Sequence, residues 1–159
     1  MHARLESATL LHRGRVFELR AETHRLADGR RLTVDAVRHP GAAAIVPLNH
    51  DGRILLLRQF RCVLNATIWE IPAGTLEPGE DPLEAARREL AEETGRSAAR
   101  WESLGAVTPV PGYGDEVVHL YLARDLAPAP GRLDPDEILA RHARIRGWPI
   151  ISLRGDDEL

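Results

Sequence analysis

GTLEPGEDPLEAARRELAEETGR, residues Gly74 to Arg96, decides how this chain is read. A turn rich in Gly and Pro runs into a helix. Asp81 is placed to cap that helix, Pro82 stands at its first position, and Glu84 follows three residues after the cap in a capping-box pattern. Leu83, Ala86 and Leu90 form an apolar stripe, and Gly95 is a natural stop. Glu89, Glu92 and Glu93 occupy positions i, i+3 and i+4, so they share one face. Two explanations fit that spacing. The acids form a solvated face paired with Arg87 and Arg88, or they gather around a hard, oxygen-seeking cation, Mg²⁺ or Mn²⁺.

Outward from this stretch the chain reads as strands. VFEL and RLTVDAV alternate apolar with polar residues on either side of Asp28-Gly29, which predicts an N-terminal hairpin over about 15–37. Ala42–Leu48 and Arg53–Phe60 follow, joined by a second Asp-Gly turn. RCVLNAT reads as a loop, with Cys62 a small buried hydrophobe, and Ile68–Ile71 as a short strand halted by Pro72. Trp101–Val107 and Val117–Ala123 are further strands around the Pro/Gly loop TPVPGYGDE. APAPG is a break, Asp136–Arg146 a final helix, and Trp148–Leu153 a last strand. The fold class is α+β, a mixed and mostly antiparallel sheet with one dominant internal helix, in one domain spanning 1–159.

Bulk composition narrows the function. With 43% hydrophobic and 28% charged residues, the chain has the make-up of an ordinary globular domain. A formal charge of -3 gives no case for nucleic acid or an anionic membrane. All 21 basic residues are Arg, which excludes Schiff-base or Walker-type lysine chemistry and leaves a planar fork suited to phosphates. Cys62 is the single cysteine, so an internal disulfide is impossible and a cysteine-based zinc site is not expected. No stretch approaches the roughly 20 apolar residues that span a bilayer, and the N-terminal apolar run is too short for a signal peptide. A cytoplasmic location is expected.

The central stretch resembles the Nudix box. Gly74, Glu80, Arg88-Glu89, Leu90, Glu92-Glu93 and Gly95 stand where that motif requires them; Arg96 departs, because the family has an aliphatic residue there. RHPGAAAIVPL, RILLLRQFR and WEIPAG before the box, and Pro111 with GYGDE after it, resemble the ADP-ribose pyrophosphatase branch, so the resemblance covers about 15–125. It implies a Nudix-like α/β/α sandwich and a Mg²⁺-dependent pyrophosphohydrolase, with Mn²⁺ as a possible substitute. The substrate would be ADP-ribose or a related nucleoside diphosphate sugar. A dinucleotide or NADH hydrolase, and a Nudix-fold sensor that binds without hydrolysing, are the alternatives.

The resemblance also implies roles. Glu89 and Glu93 would be the core metal ligands, Glu92 a further one, and Ala73 a backbone-carbonyl ligand. Arg88 and Glu80 would form an ion pair holding turn to helix. Arg61, with Arg38 and Arg58, are the candidate phosphate or ribose contacts, since Arg meets phosphate oxygens in bidentate fashion. Glu70 is a candidate contact to an adenine or ribose edge, Glu116 a candidate to order water or contact the terminal ribose, and Trp69 is read as core or dimer contact. For the general base the nearest match is Glu137, with Asp136, Glu116 and Glu92 as rivals. Relatives in this branch dimerise by exchanging N-terminal strands, so a homodimer is expected.

Overall fold

The computed structural model of the chain describes residues 2–129 and 139–145. Helix α1 covers Pro82–Thr94. Asp81 lies in extended backbone, and its carboxylate accepts the Leu83 N–H at 2.9 Å and the Glu84 N–H at 3.3 Å, which satisfies two of the free donors at a helix start. Glu84 turns its own carboxylate to Arg87 at 2.5 Å. Gly95 ends the helix in the left-handed region at φ 63°, where a side chain would be strained, and its N–H donates to the Ala91 carbonyl.

In chain order the strands are β1 (Ala3–Arg13), β2 (Glu18–Leu26), β3 (Arg31–Arg38), β4 (Ala42–Pro47), β5 (Ile54–Arg61), β6 (Ala66–Glu70), β7 (Ala73–Thr75), β8 (Arg96–Val107), β9 (Val118–Pro128) and β10 (Leu139–Ile145). Among the described residues these strands form three sheets. The N-terminal one has the order β1-β2-β3, a second runs β10-β5-β6, and the central one runs β7-β4-β9-β8. Among the strands of the described residues, β4 and β9 pair in parallel and the other ladders are antiparallel, as the mixed-sheet reading predicts.

Helix α1 lays Ala85, Ala86 and Leu90 on Ala43 and Ile45 of β4 and Ala123 of β9. Small alanines on both surfaces bring helix and sheet close, and Leu90 fills what remains with no exposed surface. Trp101 and Tyr121 close one side edge to face, with ring centroids 6.4 Å apart, and the Trp101 Nε1–H is satisfied by the Ala98 carbonyl. Among the described residues, no helix is long and apolar enough to cross a membrane.

The structure corrects the sequence reading at several points. The N-terminal hairpin is a three-stranded sheet, because Ala3–Arg13 adds a strand to β2. That strand is exposed almost throughout, so it lacks the apolar alternation that marks a half-buried one. The Gly/Pro turn before the helix contains β7, stitched to β4 through Ala43↔Gly74 and Ala44↔Ala73. APAPG is not a break at its start, since Ala127 and Pro128 continue β9 against Ser97 and Arg96. The helix expected over Asp136–Arg146 is a strand over Leu139–Ile145, paired with β5. It takes up the hydrogen-bonding edge of β5 that β6 leaves open. Cys62, read as buried, is exposed in the β5–β6 turn. The strand expected over Trp148–Leu153 lies outside the described residues.

Candidate active site

The site is assembled where β7 meets α1. β7 is held to β4 on one side, and the Ile45 N–H donates to the Pro72 carbonyl at 2.8 Å. This fixes the backbone of Ala73 and Gly74 against the helix face carrying the acids. A Cβ on Gly74 would stand 1.9 Å from Glu89 Oε1, so only glycine lets turn and carboxylate lie together. Glu93 is 3% exposed, and its Oε2 accepts the Ala73 N–H at 2.9 Å. Glu89 is 8% exposed, whereas the Glu92 side chain is 44% exposed at the mouth. The three acids therefore share a face but sit at different depths.

Arg88 binds this face together. Its Nε and Nη2 reach Glu80 at 2.9 and 3.0 Å, Nη1 reaches Glu89 at 2.6 Å and Glu92 at 3.1 Å, and Nη2 also reaches the Thr75 carbonyl at 3.3 Å. The expected Arg88–Glu80 pair is thus present, and it clamps turn to helix. The Arg88 guanidinium, with the Glu77 N–H behind it, holds the Glu80 carboxyl below the usual carboxylate range. In return Glu80, then Glu89, push the guanidinium still higher above its ordinary value, so it stays charged throughout. Arg87 pairs with Glu84 on the outer side of the helix and takes no part in the cluster.

A cleft of about 360 Å³ opens in front, lined by His39, Ala42, Arg61, Ala73, Gly74, Thr75, Arg88, Glu89, Glu92 and Glu116. Acids and arginines thus share its lining. Arg61 ends β5 and is paired with Glu70 of β6, its Nε donating to Oε1 at 2.8 Å and its Nη2 to Oε2. That fork fixes where the guanidinium points while leaving it 46% exposed. Glu116 lies 3.6 Å from His39 Nδ1, both in the lining, and that nitrogen accepts the Gly41 N–H.

Arg61, Ala73, Glu89, Glu92 and Glu116 therefore come together, with Glu93 directly behind and Glu70 reaching the site through Arg61. Arg38 and Arg58 do not line the cleft. Arg38 is bound to Glu22 and Asp115, and Arg58 is exposed on the face of β5 opposite that of Arg61. Trp69 is half-buried beside it in the β5–β6 pairing. Glu137 and Asp136 lie outside the described residues. His39 was missed, because one histidine without ligand spacing gives no signal; its only cue is that it opens the HPG turn leading to β4. Glu22, 1% exposed and ionically paired, was missed for the same reason.

Among the described residues, no three His, Cys, Asp or Glu side chains converge as a ready cation cage. As placed, Glu89 and Glu92 face Arg88 and Glu93 faces the Ala73 N–H. The donor set itself fits a hard divalent cation. It offers carboxylate and carbonyl oxygens, beside a glycine whose missing side chain leaves room for the Glu89 carboxylate itself.

Comparison with known proteins agrees with this architecture. An ADP-ribose pyrophosphatase of Bacillus subtilis is 41% identical over 124 residues, covering 78% of this chain and 67% of the relative. A methanol dehydrogenase activator of Bacillus methanolicus is 41% identical over 128 residues, covering 79% and 69%. Among solved structures, an ADP compounds hydrolase superposes with a TM-score of 0.76 at 25% identity, over 91% of this chain and 78% of its own. The chain spans about two thirds of the length of the two Bacillus relatives. The NUDIX domain family matches residues 37–148, from the end of β3 through the box helix and beyond β9, and the chain belongs to that family.

Proposed function

We propose that this chain hydrolyses the pyrophosphate of ADP-ribose or a related nucleoside diphosphate sugar, with Mg²⁺ or Mn²⁺ as cofactor. The observation that carries the reading is the cleft itself, whose lining brings Glu89, Glu92, Glu116 and Arg61 together, with Glu93 behind it bound to the Ala73 N–H. The Bacillus subtilis relative and the superposing structure are both named for ADP-containing substrates.

Glu89, Glu92, Glu93 and the Ala73 carbonyl would hold the cation. When bound, it offsets charge developing on the pyrophosphate and acidifies water. Arg61 takes a phosphate oxygen, and Glu70 keeps its fork aimed. Arg88 keeps turn and helix in register through Glu80. A carboxylate at the cleft accepts the proton from the attacking water; Glu116 and Glu92 both line it, and Glu137 is the further candidate. Water oxygen bonds to phosphorus as the bridging P–O bond breaks, giving AMP and a sugar phosphate. The N-terminal sheet is the surface through which a homodimer would form. One exposed cysteine suits a reducing compartment such as the cytoplasm.

A substrate panel tests the reading: ADP-ribose, other nucleotide sugars, NADH and diadenosine polyphosphates, each with Mg²⁺ and with Mn²⁺, with products identified. ADP-ribose should turn over fastest, to AMP and ribose phosphate. Faster turnover of NADH would make the chain a dinucleotide hydrolase, and binding without turnover would make it a sensor.

A further inference from the structure

Arg38, at the end of β3, misses the cleft but is fastened on both sides. Its Nε donates to Glu22 Oε1 at 2.8 Å, its Nη2 to Glu22 Oε2, and its Nη1 to Asp115 Oδ2 at 2.8 Å. Glu22 belongs to β2 and is 1% exposed, with the His24 ring 3.1 Å away as a further polar neighbour. A carboxylate so buried depends on a charged partner, and a two-pronged guanidinium is the strongest available. Asp115 belongs to the loop before β9. Its second oxygen accepts the His39 N–H at 2.9 Å. Two backbone bonds run alongside, Val37 N–H to the Tyr113 carbonyl at 2.7 Å and Asp115 N–H to the Val37 carbonyl at 3.1 Å. The next residue, Glu116, is on the cleft wall beside His39.

We propose that Arg38 is a positioning residue: through Asp115 it clasps the 110–116 loop to the end of β3, so that Glu116 faces the substrate, and through Glu22 it ties the N-terminal sheet to that wall. This rests on the reading of the cleft as a nucleoside diphosphate hydrolase site that Glu116 faces. Burial alone would raise the Asp115 pKa, but Arg38 and the His39 N–H hold it below the usual range, so the clasp is closed at neutral pH.

The test uses Asp115→Ala, which leaves the Arg38–Glu22 pair intact, beside Arg38→Gln and Arg38→Lys. Hydrogen exchange of the free protein should quicken across 110–116 in Asp115→Ala, with the helix amides unchanged. For ADP-ribose, kcat/KM should fall by about tenfold in Asp115→Ala, the scale of one charge-assisted hydrogen bond. Arg38→Gln should act in the same direction, and Arg38→Lys should recover part of the loss. In a Glu116→Gln background, Asp115→Ala should add less than about twofold, because a residue acting through Glu116 has nothing left to position. Unchanged exchange of the loop, or the full loss repeated on Glu116→Gln, overturns the proposal. If the wild-type chain turns over no nucleoside diphosphate sugar, the functional reading fails, and the exchange measurement alone decides the clasp.

Discussion

Between Gly74 and Gly95 the polar side chains meet one another; across Ala3–Arg38 the strands meet one another and leave a face open. In the first region a single guanidinium, Arg88, bonds Glu80, Glu89, Glu92 and the Thr75 carbonyl, and on the other side of the same helix Ala85, Ala86 and Leu90 are fully buried. In the second, Leu5, Leu10, Leu11 and Leu32 are each about half exposed, and order comes from backbone ladders and scattered surface ion pairs such as Glu6 with Arg25 and Arg31. The difference teaches where tolerance lies. A change in the first region disturbs packing and charge together, whereas one on the open face of the second meets solvent.

Leu90→Ala should give the largest effect. It empties a fully buried site between α1 and β4, so chemical denaturation should show a loss of about 2–5 kcal/mol. A loss under 1 kcal/mol would break the contrast. Gly74→Ala comes next and acts on the reaction. The Glu89 carboxylate must move away from the new Cβ, and a shift of that size should cut kcat for ADP-ribose by about a hundredfold with the fold retained. Full activity would mean that Glu89 is not needed where it stands.

Acid should act more gently. Because the folded Glu80 pKa is lowered, its pairing with Arg88 contributes stability above the usual carboxylate range. That contribution fades as pH falls through the lowered value. Glu80→Gln should therefore flatten part of the acid limb of a melting-temperature profile, and an unchanged profile would remove the clamp from the account. Leu10→Ser, on the open face of β1, should change stability by no more than about 0.5 kcal/mol in the isolated chain. A much larger loss would show that this face is covered in solution.

The same two regions differ in how far they were legible. The helix was readable to its ends because its determinants are local: a capping Asp81, Pro82, the apolar stripe and Gly95 lie within one stretch. The N-terminal turn at Asp28-Gly29 was equally local, with Gly29 at φ 85°. What escaped was set by distant partners. β1 carries no apolar period because little of it is buried. Leu139–Ile145 becomes a strand only because β5 offers it an edge, which no local pattern announces. Arg38 looked like a phosphate contact at a strand end, but its partners lie 16 and 77 residues away. Arg61 was legible through its motif and is at the cleft, with Glu70 holding it.

The central claim is that the acids on α1 hold the cation that drives hydrolysis, and Glu93→Gln addresses it most directly. Gln keeps the side chain's size and an oxygen for the Ala73 N–H, so the melting temperature should move by only a few degrees. ADP-ribose turnover, titrated with Mg²⁺, should fall by on the order of a thousandfold and resist recovery at high Mg²⁺. Turnover near the wild-type rate with the same Mg²⁺ dependence would contradict the account.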